Sequence, residues 1–445
     1  KPCIIASRWL DAPQPQRYPR ISIKLTCATQ IILLKCSYSI NNALCSRPFC
    51  ILGKGDFEST LIQNGGPMLI KRISIYQEFH CIGADCPVSC CRGWKIPINH
   101  EIYLKYLHQK GLFGAVLKLL MIKKEDLVSF RNSLKRCPFW GLDHLCTIQK
   151  KYGTDYMPLV CVQFPRQLYH LDFFCEETLY LACPEAARLF LKSVEENQPF
   201  LFEETTGEIH YPVHTTNDDE AFLNYLVKSR TELIELLYQG FEFDCTAIQH
   251  YGRDAQNACL SKLPLPSPLD YFSETQEYIL FDCALLNHLF LNGFYHPMLR
   301  KSSPLLFKLC KKYINNICNL FKRNPKAAEK KRSELIRTFQ KKVPNSDRLL
   351  NRYFEYYLQT NFLDIFEDYS FSKHLFLGAA KTAMLQIFIG LYAENKKAVT
   401  NEDLSTIIAV FERRAPQIED AIKISLPSST RIRSVTGPRI TPPIP

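Results

Sequence analysis

Hydrophobic residues recur at helical spacing over most of the chain beyond residue 100, which predicts a mainly helical fold. The clearest amphipathic segment is 218–238, whose acidic first residues suit the positive end of a helix dipole. The same spacing predicts a helix over 101–122, with Asn99 as its N-cap, and another over 176–194, with Pro184 as a start or a break inside it. Further helices are predicted at about 273–293, 303–322, 326–342, 347–367, 371–394 and 401–424.

Two segments favour extended backbone instead. Residues 69–75 form an apolar, strand-like run, and 205–213 suggest a short hairpin, where Thr-Thr-Gly-Glu precedes Ile-His-Tyr-Pro-Val. These patterns together predict a mainly α fold, in which a cysteine-rich metal-cluster N-terminal region packs on a helical C-terminal region.

The two ends of the chain lack sustained periodicity. Residues 1–67 are rich in Pro, Ser and Cys, and Met68 is the first methionine. We therefore expect 1–67 to be a non-native extension or a disordered, basic targeting arm. The last twenty residues read as an unstructured tail. The predicted division is an extension over 1–67, a cluster-binding region over 68–195, a helical region over 196–425 and a tail over 426–445.

The formal net charge of +11 is concentrated at these ends. Residues 1–67 contribute +5 and the tail +3, so the long middle part is nearly balanced. A balanced surface does not predict a nucleic-acid partner. Because no apolar run approaches the length of about 18 residues that a membrane helix needs, no membrane span is predicted either.

Nine of the nineteen cysteines lie between residues 81 and 183. The densest part has the spacing Cys-x4-Cys-x3-Cys-Cys, and prolines and glycines stand beside several of these cysteines. The candidate metal ligands are Cys81, Cys86, Cys90, Cys91, Cys137, Cys146, Cys161 and Cys183. The five cysteines over 245–318 are predicted to be small buried hydrophobic residues.

Close cysteines serve as disulfides, zinc ligands or iron–sulfur ligands. Disulfides are densest in small secreted domains, and this chain is long and shows no convincing secretory signal. Zinc often uses paired knuckles, and no Cys-x2-Cys occurs here. The adjacent Cys90 and Cys91 are expected to diverge, so that one ligates and the other packs or serves a second site. Iron–sulfur clusters fit scattered segments better, and zinc stays open as the alternative.

Six short motifs in order make residues 76–191 resemble the flagellin lysine N-methylases of the FliB family. They are Phe79-x-Cys81-x-Gly83-x-x-Cys86, Cys90-Cys91-x-Gly93-Trp94, Cys137-Pro138-Phe139, Cys146-x-Ile148, Cys161 before Phe164-Pro165-Arg166, and Ala182-Cys183-Pro184-Glu185-Ala186-Ala187-Arg188-Leu189. Trp140 departs from the pattern, since the family usually carries an aliphatic residue there. The resemblance does not extend to 1–67 or to the tail.

The resemblance implies a cytoplasmic enzyme that transfers methyl groups from S-adenosylmethionine to lysines of flagellin before export. It also implies a [4Fe-4S] cluster held by the cysteines. The chain has neither a Gly-x-Gly-x-x-Gly fingerprint nor a Cys-x3-Cys-x2-Cys of the radical type, because Gly93 stands at the third position. The cluster could act in catalysis or only in structure, and no catalytic residue is identified. Arg166 could bind the cofactor carboxylate, since a guanidinium matches that group.

Two other functions compete with methyl transfer. One is a non-catalytic zinc or iron–sulfur module, and the other is an iron–sulfur electron-transfer protein. For several conspicuous residues we predict structural roles. Tyr76 and Trp94 are expected to pack in the core rather than line a lysine channel, and Glu185 to pair with Arg188. The aromatic residues of 353–362 are expected to form helix core.

Overall fold

The computed structural model describes residues 68–93, 95–124, 127–131, 136–171, 173–207, 219–239, 245–271, 287, 291 and 303–415, with the side chains of 245–249 excepted. The predictions for 1–67, for 426–445, for Trp94 and for the helix at 273–293 concern residues outside these ranges, apart from the isolated positions 287 and 291.

A four-stranded mixed sheet is built on the first described strand. The strands are β1 Met68–Ile73, β2 Met121–Lys124, β3 Leu127–Phe130, β4 Arg166–His170, β5 Cys175–Leu179 and β6 Phe202–Gly207. The sheet order is β4-β5-β1-β6, with β1 parallel to β5 and antiparallel to β6, while β2 and β3 form a separate hairpin. The predicted strand after Met68 is confirmed. The first half of the predicted hairpin at 205–213 pairs with β1, and its second half lies outside the described residues.

Helices dominate the rest, as predicted. In the cysteine-rich part they are α1 His100–His108, α2 Gly111–Leu119, α3 Thr147–Tyr152, α4 Leu159–Gln163 and α5 Pro184–Glu195. Then follow α6 Glu220–Tyr238, α7 Cys245–Ser261, α8 Pro304–Tyr313 with a π-helical continuation Ile314–Cys318, α9 Pro325–Lys342, α10 Ser346–Asn361, α11 Phe371–Ala393 and α12 Asn401–Glu412. The periodicity missed α7. It found α6, where the Asp219 side chain accepts a hydrogen bond from the amide of Phe222 at 2.9 Å.

Three predicted helices were wrong in extent. The helix predicted over 401–424 ends at Glu412 and is followed by a turn at 413–415. The segment 101–122 is two helices and a strand, because Gly111 has φ of +75° and turns the chain between α1 and α2. Asn99 precedes α1, but its side chain accepts from the amide of Leu159 rather than capping the helix. In 176–194 only the part from Pro184 is helical, with proline in the first turn, where its missing amide costs nothing.

The structure has two hydrophobic cores. The larger one lies between the sheet and the helices from α5 onward, and it includes the predicted aromatic residues of α10 and the following turn, Tyr353, Phe354, Tyr356, Tyr357 and Phe362. The smaller core lies within the cysteine-rich part, around Tyr106, Phe130 and Phe139. Helix α5 packs against α12, which joins the cysteine-rich segment to the helical region.

Helix α11 is the one helix among the described residues that is long and apolar enough to cross a membrane, by length and composition only. Polar residues interrupt its apolar positions, so it contains no continuous apolar run of that length. Inside the fold, 78% of its most apolar 18-residue window is buried, as in the central helix of a folded core. Its Lys381 is also buried and pairs with Glu412 at 3.2 Å.

Close packing of α11 makes Gly390 sensitive to substitution. A Cβ atom at this position would lie 2.7 Å from the carbonyl oxygen of Leu335 in α9. We expect Gly390→Ala to lower the free energy of unfolding by roughly 1–3 kcal/mol, because a backbone atom must move. Without that contact, the change would stabilise the helix by about 1 kcal/mol. Urea unfolding measures the difference, and a raised midpoint would contradict the contact.

Candidate functional site

The predicted ligands begin on an irregular loop between β1 and α1. This loop carries Cys81, Cys86, Cys90 and Cys91. A single turn of 3-10 helix, Gly83–Asp85, starts at a glycine with φ of +55°, and the amide of Cys86 donates to the carbonyl of Gly83. The turn folds the loop back, so that cysteines five residues apart lie within electrostatic range of each other.

One of the downstream cysteines, Cys137, contacts this loop through its backbone. The amide of Cys137 donates to the carbonyl of Cys91 at 2.7 Å. Cys146 precedes α3 and pairs with Trp140 in an isolated β-bridge, while Cys161 lies in α4. Cys137 is buried, and the thiols of Cys91, Cys146 and Cys161 pack against the same small core. Trp140, the departure from the family pattern, stacks under the guanidinium of Arg92.

Cys183 is the N-cap of α5 and belongs to the larger core. Burial raises the pKa of its thiol to about 12, against hydrogen bonds from the amides of Ala186 and Glu185 that lower it. These amides point from the first turn of a twelve-residue helix, where negative charge is favoured. Once ionised, Cys183 is therefore held as a thiolate by the helix start.

Residues of α10 and α12 hold the segment before Cys183 in place. The hydroxyl of Tyr356 donates to the carbonyl of Leu179 at 2.9 Å and lies 3.3 Å from the amide of Leu181. The hydroxyl of Tyr180 donates to the carbonyl of Glu412 at 2.6 Å. The helical region thus positions this cysteine by contacts to the backbone on both sides of Tyr180.

Arg413, directly after α12, joins the loop to the Cys183 segment. Its guanidinium donates to the carbonyls of Val88 at 2.6 Å, Ser89 at 3.1 Å and Ala182 at 3.0 Å. Burial lowers the pKa of Arg413, and the thiols of Cys90, Cys86 and Cys183 act in the opposite direction. Arg413 is half-buried, so the structure places a partly desolvated cation near three of the predicted ligands.

The thiols fall into two neighbouring groups that we name by the residue each faces. The Arg413 group contains Cys86, Cys90 and Cys183, with the exposed Cys81 close to Cys86. The Tyr106 group contains Cys137, Cys146 and Cys161, whose charges all act on the Tyr106 hydroxyl, although burial is the largest cause of its raised pKa. Cys90 interacts electrostatically with members of both groups, so the two groups adjoin in one thiol-rich region.

Cys90 and Cys91 differ from the expectation of diverging side chains. A hydrogen bond with the Cys91 thiol is the largest cause that raises the pKa of Cys90, followed by burial. Burial also raises the pKa of Cys86 and Cys161, and that of Cys137 to about 12. Because burial disfavours thiolates, these cysteines need a positively charged partner before they can ionise at neutral pH.

The donor chemistry of the region fits an iron–sulfur cluster, whose usual protein ligands are cysteine thiolates. Within the described ranges, no group of three or more His, Cys, Asp or Glu side chains could hold a metal ion as arranged.

Arg166 supports the site from outside the thiol groups. Its guanidinium donates to the carbonyl of Phe79 at 3.1 Å and lies 5.0 Å from the Phe79 ring and 5.7 Å from that of Tyr76. Tyr76 packs against the larger core, as expected. These contacts fix the backbone two residues before Cys81, while the role of Arg166 at a cofactor carboxylate stays a prediction. Glu185 and Arg188 pair in a bidentate contact, as predicted.

Sequence reasoning missed Arg413 altogether. It lies more than 200 residues from Cys183, in a helix end that carries no motif. Among the later cysteines, Cys310 and Cys318 are buried and Cys259 is half-buried, in line with their predicted packing roles.

Comparison with known proteins identifies the family of this chain. The chain is 30% identical over 121 residues to the flagellar biosynthetic protein FliU of Salmonella muenchen, a match that covers 26% of this chain and 72% of FliU. The chain belongs to the FliB-like family of flagellin lysine methylases. Lysine-N-methylases of Salmonella typhimurium and Salmonella choleraesuis also match, each at 30% identity over 121 residues.

The matched region spans only about 30% of the length of these two lysine-N-methylases and 26% of this chain. No family model matches the chain. No solved structure matches it either.

Proposed function

We propose that this FliB-like protein is a lysine N-methylase that acts on flagellin in the cytoplasm, with S-adenosylmethionine as methyl donor and a thiolate-held iron–sulfur cluster in its site. The observation that carries the proposal is the similarity to proteins named lysine-N-methylase and FliU. Further support comes from electrostatic interactions that link six cysteines of the family-like motifs, namely Cys86, Cys90, Cys137, Cys146, Cys161 and Cys183.

Methyl transfer to lysine requires a neutral amine, because an ammonium group has no lone pair. Lysine has an ordinary pKa of about 10.4, so the site must desolvate the amine or provide a base. The methyl sulfonium is already electrophilic, and the main tasks of the protein are alignment and exclusion of water.

The cysteines of the Arg413 group are the residues that would hold the cluster. When bound, an iron–sulfur cluster supplies electron transfer or a rigid cross-link between chain segments. The helix start at Cys183 and the guanidinium of Arg413 stabilise thiolates. The loop and the α5 segment, which are far apart in sequence, would then be fixed to each other.

Methyl transfer can be measured directly. The full chain, purified without oxygen, is incubated with purified flagellin and S-adenosylmethionine that carries a labelled methyl group. We expect label on flagellin lysines, which peptide mass spectrometry locates. Flagellin with acetylated lysines is the matched control, because acetylation removes the nucleophilic amine. A cluster-loaded chain that leaves flagellin unlabelled would refute the proposal, and a reversible potential without transfer would favour electron transfer instead.

A further inference from the structure

Arg413 carries a positive charge that no carboxylate pairs with among residues the structure describes. Its three hydrogen bonds all go to backbone carbonyls. The adjacent Glu412 is 1% exposed and is already bound by Lys381 and by the hydroxyl of Tyr353. Arg413 is half-buried, and an opposite charge nearby stabilises a partly desolvated cation. An anion in the space around Arg413 would therefore be stabilised by its charge.

The groups in that space are the thiols of the Arg413 group. Cys86 and Cys90 flank the loop carbonyls that Arg413 binds, and Cys183 directly follows the third carbonyl, that of Ala182. Neutral thiols do not offset the charge, whereas thiolates bound to iron do. One side chain thus contacts both cysteine-bearing segments by hydrogen bonds, and the thiols of Cys86, Cys90 and Cys183 interact electrostatically with its guanidinium.

We propose that Arg413 is the fixed counter-charge of the thiol site and makes it selective for an anionic, thiolate-bound group such as an iron–sulfur cluster. This inference rests on the cluster in the proposed function, but not on methyl transfer. Arg413 acts as a positioning residue, which holds the two segments at the spacing that the bound group needs. Its charge also stabilises the electron-rich state of that group.

The test compares variants of the full chain, reconstituted anaerobically with iron and sulfide. Arg413→Gln removes the charge and keeps an amide donor. Arg413→Lys keeps the charge but loses the planar, forked set of N–H donors of the guanidinium. Arg348→Gln is the matched control, because Arg348 also donates to backbone carbonyls, those of Val194 and Glu195, away from the thiols.

We expect a chelator to release iron from Arg413→Gln roughly tenfold faster or more than from the unmodified chain, the size usual for residues that support metal ligands. Arg413→Lys should stay within about threefold, since charge dominates the effect. The midpoint potential of Arg413→Gln should fall, because the reduced cluster loses a nearby positive charge. If Arg413 only held the two segments in place, both variants should affect the midpoint potential alike. A potential that falls in Arg413→Gln and stays unchanged in Arg413→Lys therefore indicates an effect of the charge.

Several results would overturn the inference. One is equal iron release from Arg413→Gln and the unmodified chain, and another is a lysine variant as impaired as the glutamine variant. If Arg413→Gln does not fold, as judged by circular dichroism, the lysine variant alone decides by the same criterion. A chain that methylates flagellin without binding any thiol-held group would refute the role of Arg413 and leave the function standing. A chain that binds a thiol-held group but does not methylate flagellin would refute the proposed function alone.

Discussion

Replacing Cys86 by serine is expected to lower the iron content of the reconstituted chain at least tenfold. The reason is that Cys86 belongs to the Arg413 group, where a half-buried cation and the start of α5 both favour thiolates. Losing even a supporting residue costs roughly 10- to 100-fold in metal affinity, so losing a ligand should cost at least that much. Iron and acid-labile sulfide per chain, with the visible absorption spectrum, provide the measurement.

Two matched serine variants make this result interpretable. Cys146→Ser changes the Tyr106 group, which faces an aromatic hydroxyl instead of a cation, and should keep most of the iron. Cys259→Ser changes a half-buried thiol in α7, outside both groups, and should keep all of it. Retained iron in Cys86→Ser, together with lost iron in Cys146→Ser, would place the cluster in the Tyr106 group and contradict the assignment. A colourless unmodified chain with stoichiometric zinc would refute the cluster itself.

The sequence patterns correctly predicted those elements whose formation depends mainly on residues close in sequence. Helix α6 follows from its amphipathic period and acidic start, and α5 begins where Pro184 permits. The extent of the helix predicted over 101–122 was wrong, because one glycine with positive φ ends the periodicity that its neighbours suggest. Strand β5 was read as helix, although Glu176 and Thr178 are both buried there by pairing with strands on either side.

The cysteines of the site could be read from the sequence because they stand in short motifs. Their grouping could not, since it depends on contacts such as that of Cys137 with the Cys91 carbonyl. For the same reason, the sequence could not predict that Arg413 belongs to the site. A cation becomes part of a site through burial and through the groups that it faces, and neither is visible in one arginine at a helix end.

The second large effect concerns the buried ion pair that joins α6 to β5. The guanidinium of Arg230 donates to both carboxylate oxygens of Glu176, at 2.6 and 2.9 Å, and both side chains are at most 5% exposed. Glu176→Gln leaves the charge of Arg230 buried without its counter-charge. We expect the free energy of unfolding to fall by roughly 3–5 kcal/mol, as measured by urea unfolding.

The double variant Glu176→Leu with Arg230→Met separates the cost of an unpaired charge from the value of the pair. Replacing both partners by apolar residues of similar size removes two desolvation penalties along with one attraction. We therefore expect the free energy of unfolding of the double variant to equal or exceed that of the unmodified chain, within an error of about 1 kcal/mol. The double variant should also be far more stable than Glu176→Gln.

An exposed pair gives the matched comparison. Asp143 and Lys150 are each about half exposed, so water solvates either charge when the other is removed. We expect Asp143→Asn to leave the urea midpoint almost unchanged, because exposed ion pairs contribute little to stability. If Glu176→Gln had an equally small effect, water would have to reach Arg230 in solution. The burial of this ion pair between α6 and β5 would then not hold in solution.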